Sequence, residues 1–201
     1  MRRGYDSIAE RYAEWASSFE TPAMRWVDKL LARLPDGSDV LELGCGGGSP
    51  ATRALAARHR VLGVDISERQ LERARRLVPE ARYARGDATT IVLPSESFDA
   101  VVSLFMLGHV PRAKQRSLLD RIFGWLVPDG WLLATLGTAN ADDEVADWLG
   151  APMFFASYDE EWDRQALESA GFVLEEARVV PFEEPGHGLV RFMWVLARKP
   201  A

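Results

Sequence analysis

The sequence predicts an α/β fold in which a doubly wound, mostly parallel sheet is covered by helices on both faces. From residue 39 to about residue 171, short apolar segments alternate with segments of helical spacing, as in parallel strands joined by helices. The last two strand segments, Val173–Val180 and Leu189–Ala197, have no helix between them and are expected to pair as an antiparallel hairpin. Two amphipathic helical segments within residues 1–35 precede the alternation, and we expect them to cover the sheet.

Local patterns predict the remaining elements in chain order. Five further strands are expected at the apolar segments Asp39–Leu43, Arg60–Val64, Ala81–Arg85, Ala100–Leu104 and Trp131–Leu136. The helices that connect and follow them are expected at about residues 50–58, 67–78, 113–126 and 157–171. Two of these helices begin at sequences of the capping-box form, Ser67–Gln70 and Ser157–Glu160.

Composition and charge are those of an ordinary globular protein. The chain has 201 residues, 47% apolar and 27% charged, and a formal net charge of −6. These values exclude a disordered or disulfide-stapled chain, and the acidic excess disfavours general nucleic-acid binding. The single cysteine, Cys45, permits no internal disulfide and favours a cytoplasmic location. We see no signal-peptide core, and the longest apolar region, Phe98–Val110, is too short to span a bilayer, so we expect no membrane partner. The oligomeric state is left open.

A glycine turn follows the first strand and predicts a ligand site. Gly44, Gly46 and Gly48 allow a tight turn and let a ligand approach bare backbone, and the next helix directs free N–H groups to the same place. The second strand ends at Asp65, 21 residues after Gly44, where a carboxylate can accept hydrogen bonds from a ribose. The alternative is a tight turn with an aspartate that only caps a helix.

The glycine turn resembles the first motif of the class I S-adenosylmethionine-dependent methyltransferases. That motif has an acidic residue, any residue and then glycines at alternate positions, which the segment Glu42–Gly48 matches throughout. A dinucleotide site would instead need a third glycine where Ser49 stands. The resemblance covers Tyr5 to about Thr135 by motif and the rest by element order. It implies a seven-stranded sheet with an antiparallel last strand, and S-adenosylmethionine as the cofactor with S-adenosylhomocysteine as its product.

The resemblance also implies individual cofactor contacts. Asp65 would hold the ribose hydroxyls with Ile66 against the adenine, and Asp87 would contact the adenine amino group. Tyr5 and Tyr12 lie in a segment similar to the family's N-terminal helix, which closes over the cofactor, although an ordinary amphipathic helix would have the same pattern. The expected cofactor-binding set is Tyr5, Tyr12, Glu42, Gly44, Cys45, Gly46, Gly48, Asp65, Ile66, Gln70, Asp87, Ala88, Leu104 and Phe105.

Residues that choose and activate the methyl acceptor are less well marked. His109 follows the fourth strand and is the candidate general base, the alternative being a histidine that orders the next helix. Residues 137–157 form a substrate-side insert that either walls a pocket or contains a short amphipathic helix at Asp143–Leu149. We expect no metal, because Ser103 leaves the fourth strand without a carboxylate. The candidate pocket residues are Trp15, Phe19, Trp148, Met153, Phe154, Phe155 and His187.

These features together predict one domain over residues 1–201 that methylates a small, partly apolar or aromatic acceptor at oxygen, nitrogen or carbon. The segment Ser103–Met106 lacks the Asn/Asp-Pro-Pro-aromatic pattern of enzymes that methylate nucleic-acid adenine or glutamine amides. The shortness of the chain favours a small acceptor over a macromolecule. A peptide or protein methyltransferase with an open acidic groove, a nicotinamide-dependent oxidoreductase and a non-catalytic cofactor-binding subunit remain as alternatives.

Overall fold

The computed structural model describes all residues, 1–201, and contains six α-helices and nine β-strands. The helices are α1 (Arg2–Ser17), α2 (Ala23–Leu31), α3 (Pro50–Ala56), α4 (Glu68–Leu77), α5 (Arg112–Trp125) and α6 (Glu160–Ser169). The strands are β1 (Asp39–Leu43), β2 (Arg60–Asp65), β3 (Arg82–Arg85), β4 (Phe98–Ser103), β5 (Leu126–Gly137), β6 (Glu144–Trp148), β7 (Ala151–Phe155), β8 (Val173–Glu184) and β9 (Gly188–Arg198). A short 3₁₀ turn spans Leu107–His109. No helix has both the length and the apolar character needed to cross a membrane.

Seven of the strands form one sheet in the order β3-β2-β1-β4-β5-β9-β8. Neighbours from β3 to β5 pair in parallel, whereas β9 runs antiparallel to both β5 and β8. The predicted doubly wound sheet with an antiparallel finish is therefore confirmed. The chain fills one side of β1 with β2 and β3 and then crosses to the other side for β4. The strand order thus reverses between β1 and β4, and in such sheets this is where ligands bind.

Apolar side chains on the two faces of the sheet form two separate cores. On one face, Leu41 and Leu43 of β1 pack in a cluster with α5 and α6. On the other face, Val40 packs in a cluster with α2 and α3, including Val27 and Leu55. The alternation along β1 follows from the pleat, which points successive side chains to opposite faces. The central strand, buried on both faces, is held rigidly, and its carboxyl end carries the glycine turn.

The insert of residues 137–157 contains a hairpin, β6–β7, that stands apart from the main sheet. The alternative of an amphipathic helix at Asp143–Leu149 is therefore wrong. Helix α1 packs on this hairpin through a small third cluster that contains Ile8, Trp148 and Met153. The insert and the N-terminal helix thus form one unit over the end of the sheet.

The two capping boxes have different outcomes. At α4, the Ser67 hydroxyl accepts a hydrogen bond from the Gln70 backbone N–H, whereas the Gln70 amide has no partner, so only half of the predicted capping box forms. At α6, the cap is Asp159, whose carboxylate accepts from the Trp162 N–H, so the prediction of Ser157 as the cap is wrong. Ser157 accepts instead from the Ala141 N–H and holds the end of the insert.

Candidate functional site

The glycine turn between β1 and α3 has a backbone that only glycine accommodates without strain. Gly44 has a φ of 73° and Gly48 a φ of 83°, both in the left-handed region. A Cβ atom on Gly44 would lie 2.7 Å from the Met106 side chain, and one on Gly48 would lie 3.2 Å from the Ala74 Cα atom. Cys45 is buried between these glycines, and burial raises the pKa of its thiol well above the usual value. Cys45 therefore serves as a small packing residue in the turn.

Asp65 links the end of β2 to the glycine turn. Its carboxylate accepts hydrogen bonds from the Gly46 N–H at 2.9 Å and the Ser67 N–H at 2.8 Å. The Ser67 hydroxyl in turn donates to the Asp6 carboxylate of α1 at 2.6 Å. Burial is the main cause that raises the pKa of Asp65, and the negative charge of Asp6 raises it further. Two carboxylates thus lie close together at this corner, without a salt bridge to a basic side chain.

Two buried polar side chains beside the turn lack hydrogen-bond partners. Glu42 accepts a hydrogen bond from the Thr52 hydroxyl at one carboxylate oxygen, whereas its Oε2 atom has no partner. Burial raises the pKa of Glu42 to about 8. Neither amide atom of Gln70 has a partner, although the side chain is 1% exposed and its Oε1 lies 2.9 Å from where a Gly47 Cβ would be. Buried polar groups are normally satisfied, so these atoms are positioned for a ligand or an ordered water.

Helix α1 lies across the glycine turn and is tied to the 3₁₀ turn by a histidine. The Tyr12 ring comes within 3.9 Å of where a Gly46 Cβ would be. The Tyr5 hydroxyl is 2.7 Å from His109 Nε2, and His109 Nδ1 is 2.8 Å from the Phe154 carbonyl oxygen. Because a carbonyl oxygen can only accept, Nδ1 carries the hydrogen and Nε2 accepts from Tyr5. Burial lowers the pKa of His109, which keeps this ring neutral.

Aromatic rings continue from α1 along the carboxyl end of the sheet. Trp15 contacts Trp148 of the hairpin at a ring-centroid distance of 5.0 Å and Phe19 at 4.8 Å. Phe19 stacks on Phe182 of β8 at 6.2 Å, and Phe182 lies 6.0 Å from Phe105. Phe105 follows β4 with a φ of 57°, which is unusual for a bulky residue. Its N–H donates to the Thr135 hydroxyl, which holds this conformation.

The structure brings most of the predicted site residues to this end of the sheet. Asp65, Gln70 and Glu42 lie around the glycine turn, and Tyr12 of α1 lies against the turn at Gly46. Several other candidates have surroundings of their own. Asp87 is exposed and accepts two hydrogen bonds from Thr89, and Ala88 packs against the core beneath the sheet. Ile66 is half-buried at the end of β2, and Leu104 packs against the α2–α3 core.

The predicted acceptor-side residues separate into three groups. Trp15, Phe19, Trp148 and Phe155 belong to the aromatic surface, and Phe155 also lies 5.1 Å from the His109 ring. Phe154 contributes its carbonyl oxygen to His109. Met153 is fully buried against Gly4, and His187 is exposed in the β8–β9 turn. These last two side chains are therefore not part of the aromatic surface.

Sequence reasoning missed Asp6, Phe182 and Glu184. Asp6 lies within the N-terminal segment singled out for its tyrosines, and no local pattern indicates its contact with Ser67, 61 residues away. Phe182 and Glu184 were assigned to the connection between the last two strands. The period-two spacing of Val180, Phe182 and Glu184 was an available signal that β8 continues to residue 184.

The sheet order, the glycine turn at the switch point and the acidic end of β2 define a Rossmann-like methyltransferase fold. The sequence profile of a family described as a methyltransferase domain matches residues 40–130. An uncharacterized methyltransferase of Mycobacterium tuberculosis is 38% identical over 134 residues, which cover 63% of this chain and 67% of that protein. The chain belongs to the class I S-adenosylmethionine-dependent methyltransferases, whose cofactor is S-adenosylmethionine.

Two further comparisons are with proteins named for small molecules. The trans-aconitate 2-methyltransferase of Variovorax paradoxus is 36% identical over 119 residues, 57% of this chain and 45% of that protein. The chain thus matches less than half the length of this relative. A solved structure of the Burkholderia thailandensis 1,6-didemethyltoxoflavin-N1-methyltransferase, with its ligand and S-adenosylhomocysteine, has a TM-score of 0.76 and 21% identity. The match covers 100% of this chain and 87% of the Burkholderia protein. A sequence identity of 21% supports a shared fold and no more.

Proposed function

We propose that this chain transfers the methyl group of S-adenosylmethionine to a small-molecule acceptor. The observation that carries the proposal is the set of unsatisfied or acidic groups around the glycine turn. Glu42 Oε2 and the Gln70 amide are buried without partners, and Asp65 stands at the end of β2 beside Asp6. S-adenosylmethionine carries ribose hydroxyls, an ammonium group and a sulfonium charge, all of which suit acidic acceptors. The residues present therefore fit the cofactor.

Each part of the turn has a role in this proposal. The glycines let the cofactor approach the backbone between β1 and α3. Asp65 accepts from the ribose hydroxyls, Glu42 faces the positively charged amino-acid end, and Tyr12 on α1 covers the site. Ile66, Asp87 and Ala88 bound the adenine end, and Leu104 and Phe105 bound the methionine end. These assignments follow from the family resemblance and from the positions of the residues along the same edge of the sheet.

The cofactor, when bound, supplies an activated methyl group, so the protein has mainly to position a nucleophile and exclude water. Holding the reactants in line can contribute about 7–11 kcal/mol. We keep His109 as the candidate base, since its neutral Nε2 lone pair can accept a proton once the Tyr5 hydroxyl moves aside. The domain division of the sequence, with residues 1–35 and 137–157 on the acceptor side, is part of the same proposal.

The preference for a small acceptor is supported by the names of the similar proteins and by the structure around α1. The compared proteins are named for trans-aconitate and for 1,6-didemethyltoxoflavin, both small molecules. Here aromatic rings of α1, of the β6–β7 hairpin and of β8 lie side by side at the carboxyl end of the sheet. An apolar aromatic surface of this kind suits a compact molecule, whereas a peptide acceptor would need an open groove.

Ligand-induced stabilisation tests the proposal. S-adenosylhomocysteine at 100 times its Kd should stabilise the protein by about 2.7 kcal/mol, whereas NAD should not raise the melting temperature. The variant Asp65→Asn should weaken S-adenosylhomocysteine binding about tenfold or more, because hydrogen bonds to a charged group are lost. Asp36→Asn, at an exposed aspartate paired with Arg58, is the matched control and should leave binding unchanged.

The outcomes separate the alternatives. Stabilisation by NAD without stabilisation by S-adenosylhomocysteine would replace the proposal with an oxidoreductase. Binding of S-adenosylhomocysteine with no transfer of labelled methyl to any of a broad panel of hydroxyl, amine and carbon acceptors would favour a non-catalytic subunit. Unchanged binding in Asp65→Asn would remove the ribose assignment while leaving the fold intact.

A further inference from the structure

The β8–β9 hairpin extends beyond the carboxyl edge of the sheet. The last pair between β5 and β9 is Gly137 with Phe192, whereas β8 and β9 continue to pair as far as Glu184 with Gly188. The end of this hairpin therefore projects over the space where β4 and β5 finish. The Trp15 indole N–H donates to the Pro185 carbonyl oxygen, so the projecting end rests against α1.

Glu184 lies on the face of this projection that carries the aromatic rings. Side chains two residues apart on a strand share a face, so Glu184 continues the row of Val180 and Phe182, and Glu183 points the other way. The exposures agree, because Glu184 is half-buried and Glu183 is exposed. Its cross-strand partner is Gly188, which has no side chain to meet it.

The Glu184 carboxylate has no hydrogen bond or salt bridge within the chain, and the exposed His187 is the one basic side chain that acts on its pKa. Burial raises the pKa of Glu184 above its usual value. The charges of Glu184 and Asp65 both raise the pKa of Tyr12, so the Tyr12 hydroxyl lies within electrostatic reach of both carboxylates. Glu184 thus lies near Tyr12, at the end of the sheet that carries the glycine turn.

No lysine or arginine side chain compensates the negative charge of Glu184 on this face. Arg191 alternates with Phe192 along β9 and therefore points to the opposite face, where it is exposed. Arg11 of α1 is directed away, with its guanidinium beside Gly150 in the β6–β7 turn. An anionic ligand here would meet a half-buried carboxylate whose charge is offset only by the exposed His187.

We propose that Glu184 is an acceptor-binding residue whose carboxylate accepts a hydrogen bond from a hydroxyl or amino group on an uncharged aromatic acceptor. The acceptor ring packs against Trp15, which contacts Pro185 beside Glu184, and against Phe182 and its neighbour Phe105. Acceptors that carry a carboxylate are rejected. This inference rests on the proposed function, because it concerns the acceptor half of the same site.

Three naphthalene probes test the inference by calorimetric binding to the protein saturated with S-adenosylhomocysteine. Naphthol offers a hydroxyl hydrogen, methoxynaphthalene has the same ring without that hydrogen, and naphthoate carries a carboxylate. The unmodified protein should bind naphthol about tenfold more tightly than either of the others, because it alone donates to the carboxylate. Glu184→Gln should reduce the naphthol-over-naphthoate preference to about threefold or less. Glu183→Gln, one residue away on the outer face, should leave it unchanged.

Binding of S-adenosylhomocysteine is measured first in all three proteins, so the two proposals can fail separately. Absence of that binding in the unmodified protein would overturn the proposed function and this inference with it. Where the binding is intact, the inference is overturned if naphthol does not bind or if naphthoate binds as tightly as naphthol. It is also overturned if Glu184→Gln keeps the original preference, or if Glu183→Gln changes it equally.

Discussion

Asp163 is a buried carboxyl group that the proposed reaction does not use. It lies on α6 with 1% of its surface exposed, and neither carboxylate oxygen has a hydrogen-bond partner. It faces a small pocket between the 3₁₀ turn and Ser157, lined also by Gln115. Burial raises its pKa to about 8, with a smaller contribution from Asp159. Glu42 also has a raised pKa, but its unpartnered oxygen lies beside the glycine turn, where a substitution would also change the proposed ligand site. Asp163 is therefore the better position for testing how a buried carboxyl group affects stability.

Asp163 should therefore make the protein less stable as the pH rises. In the unfolded chain this group titrates near pH 4, so between about pH 4 and pH 8 the unfolded state releases its proton while the folded state retains it. The free energy of unfolding should then fall by up to about 1.4 kcal/mol per pH unit in this window from this one group. The Asp163→Asn variant has no group that titrates at this position. The difference in free energy of unfolding between the variant and the unmodified protein should therefore shift in favour of the variant as the pH rises to about 8.

Urea unfolding at a series of pH values measures this difference. Glu161→Gln, an exposed position on the same helix, is the control and should follow the unmodified protein. Parallel stability curves for Asp163→Asn and the unmodified protein between pH 5 and pH 8 would mean that Asp163 is already ionised in the folded state.

At the scale of elements, α1 depends on a few specific contacts with the rest of the molecule. Tyr5 donates to His109, Asp6 accepts from Ser67, and the Trp15 indole donates to Pro185. These contacts join α1 to the 3₁₀ turn, to α4 and to the β8–β9 turn. Each is a single hydrogen bond, and the two between neutral groups contribute about 0.5–1.5 kcal/mol each to docking of the helix.

Tyr5→Phe should loosen α1 without unfolding the sheet. The change removes the hydroxyl that donates to His109 Nε2 and keeps the ring that packs against Tyr12 and Trp148. Amide hydrogens of α1 should exchange about three- to tenfold faster, in line with the loss of roughly 1 kcal/mol of docking free energy. Ser7→Ala is the control, since the Ser7 hydroxyl bonds only to Gly4 within the helix. An exchange rate in α1 that is the same in both variants would show that the Tyr5–His109 contact does not hold the helix.

Most elements could be predicted because their signals are local. The spacing of apolar residues predicted each strand of the main sheet, and the glycines with Asp65 predict its ligand end, which stays a prediction. The contacts that close the site could not be predicted in this way, because they join residues far apart, 104 positions in the case of Tyr5 and His109. The β6–β7 hairpin also escaped local reasoning. Its outer residues, such as Val145, are exposed, and its buried residues, Trp148 and Met153, pack against α1, which is far away in the sequence.

At the scale of the whole molecule, the buried apolar side chains form three clusters of unequal size. The two large clusters lie on opposite faces of the same strands, so loss of either exposes the sheet to water. The third, which contains Ile8, Trp148 and Met153, joins only α1 and the β6–β7 hairpin. Since stability within a protein varies with the apolar contacts of each region, this third cluster should open before the sheet does.

Hydrogen exchange followed by mass spectrometry should therefore resolve two groups of amides. In the free protein, α1 and the β6–β7 hairpin should exchange faster than β1 and β4, because their opening disrupts only the smallest cluster. S-adenosylhomocysteine should slow exchange in α1 most, since the proposed site lies between Tyr12 and the glycine turn and the ligand stabilises only the closed form. Equal exchange in α1 and β1 of the free protein would indicate that the chain unfolds as a single cooperative unit. Unchanged exchange in α1 at saturating S-adenosylhomocysteine would mean that the helix does not cover the ligand.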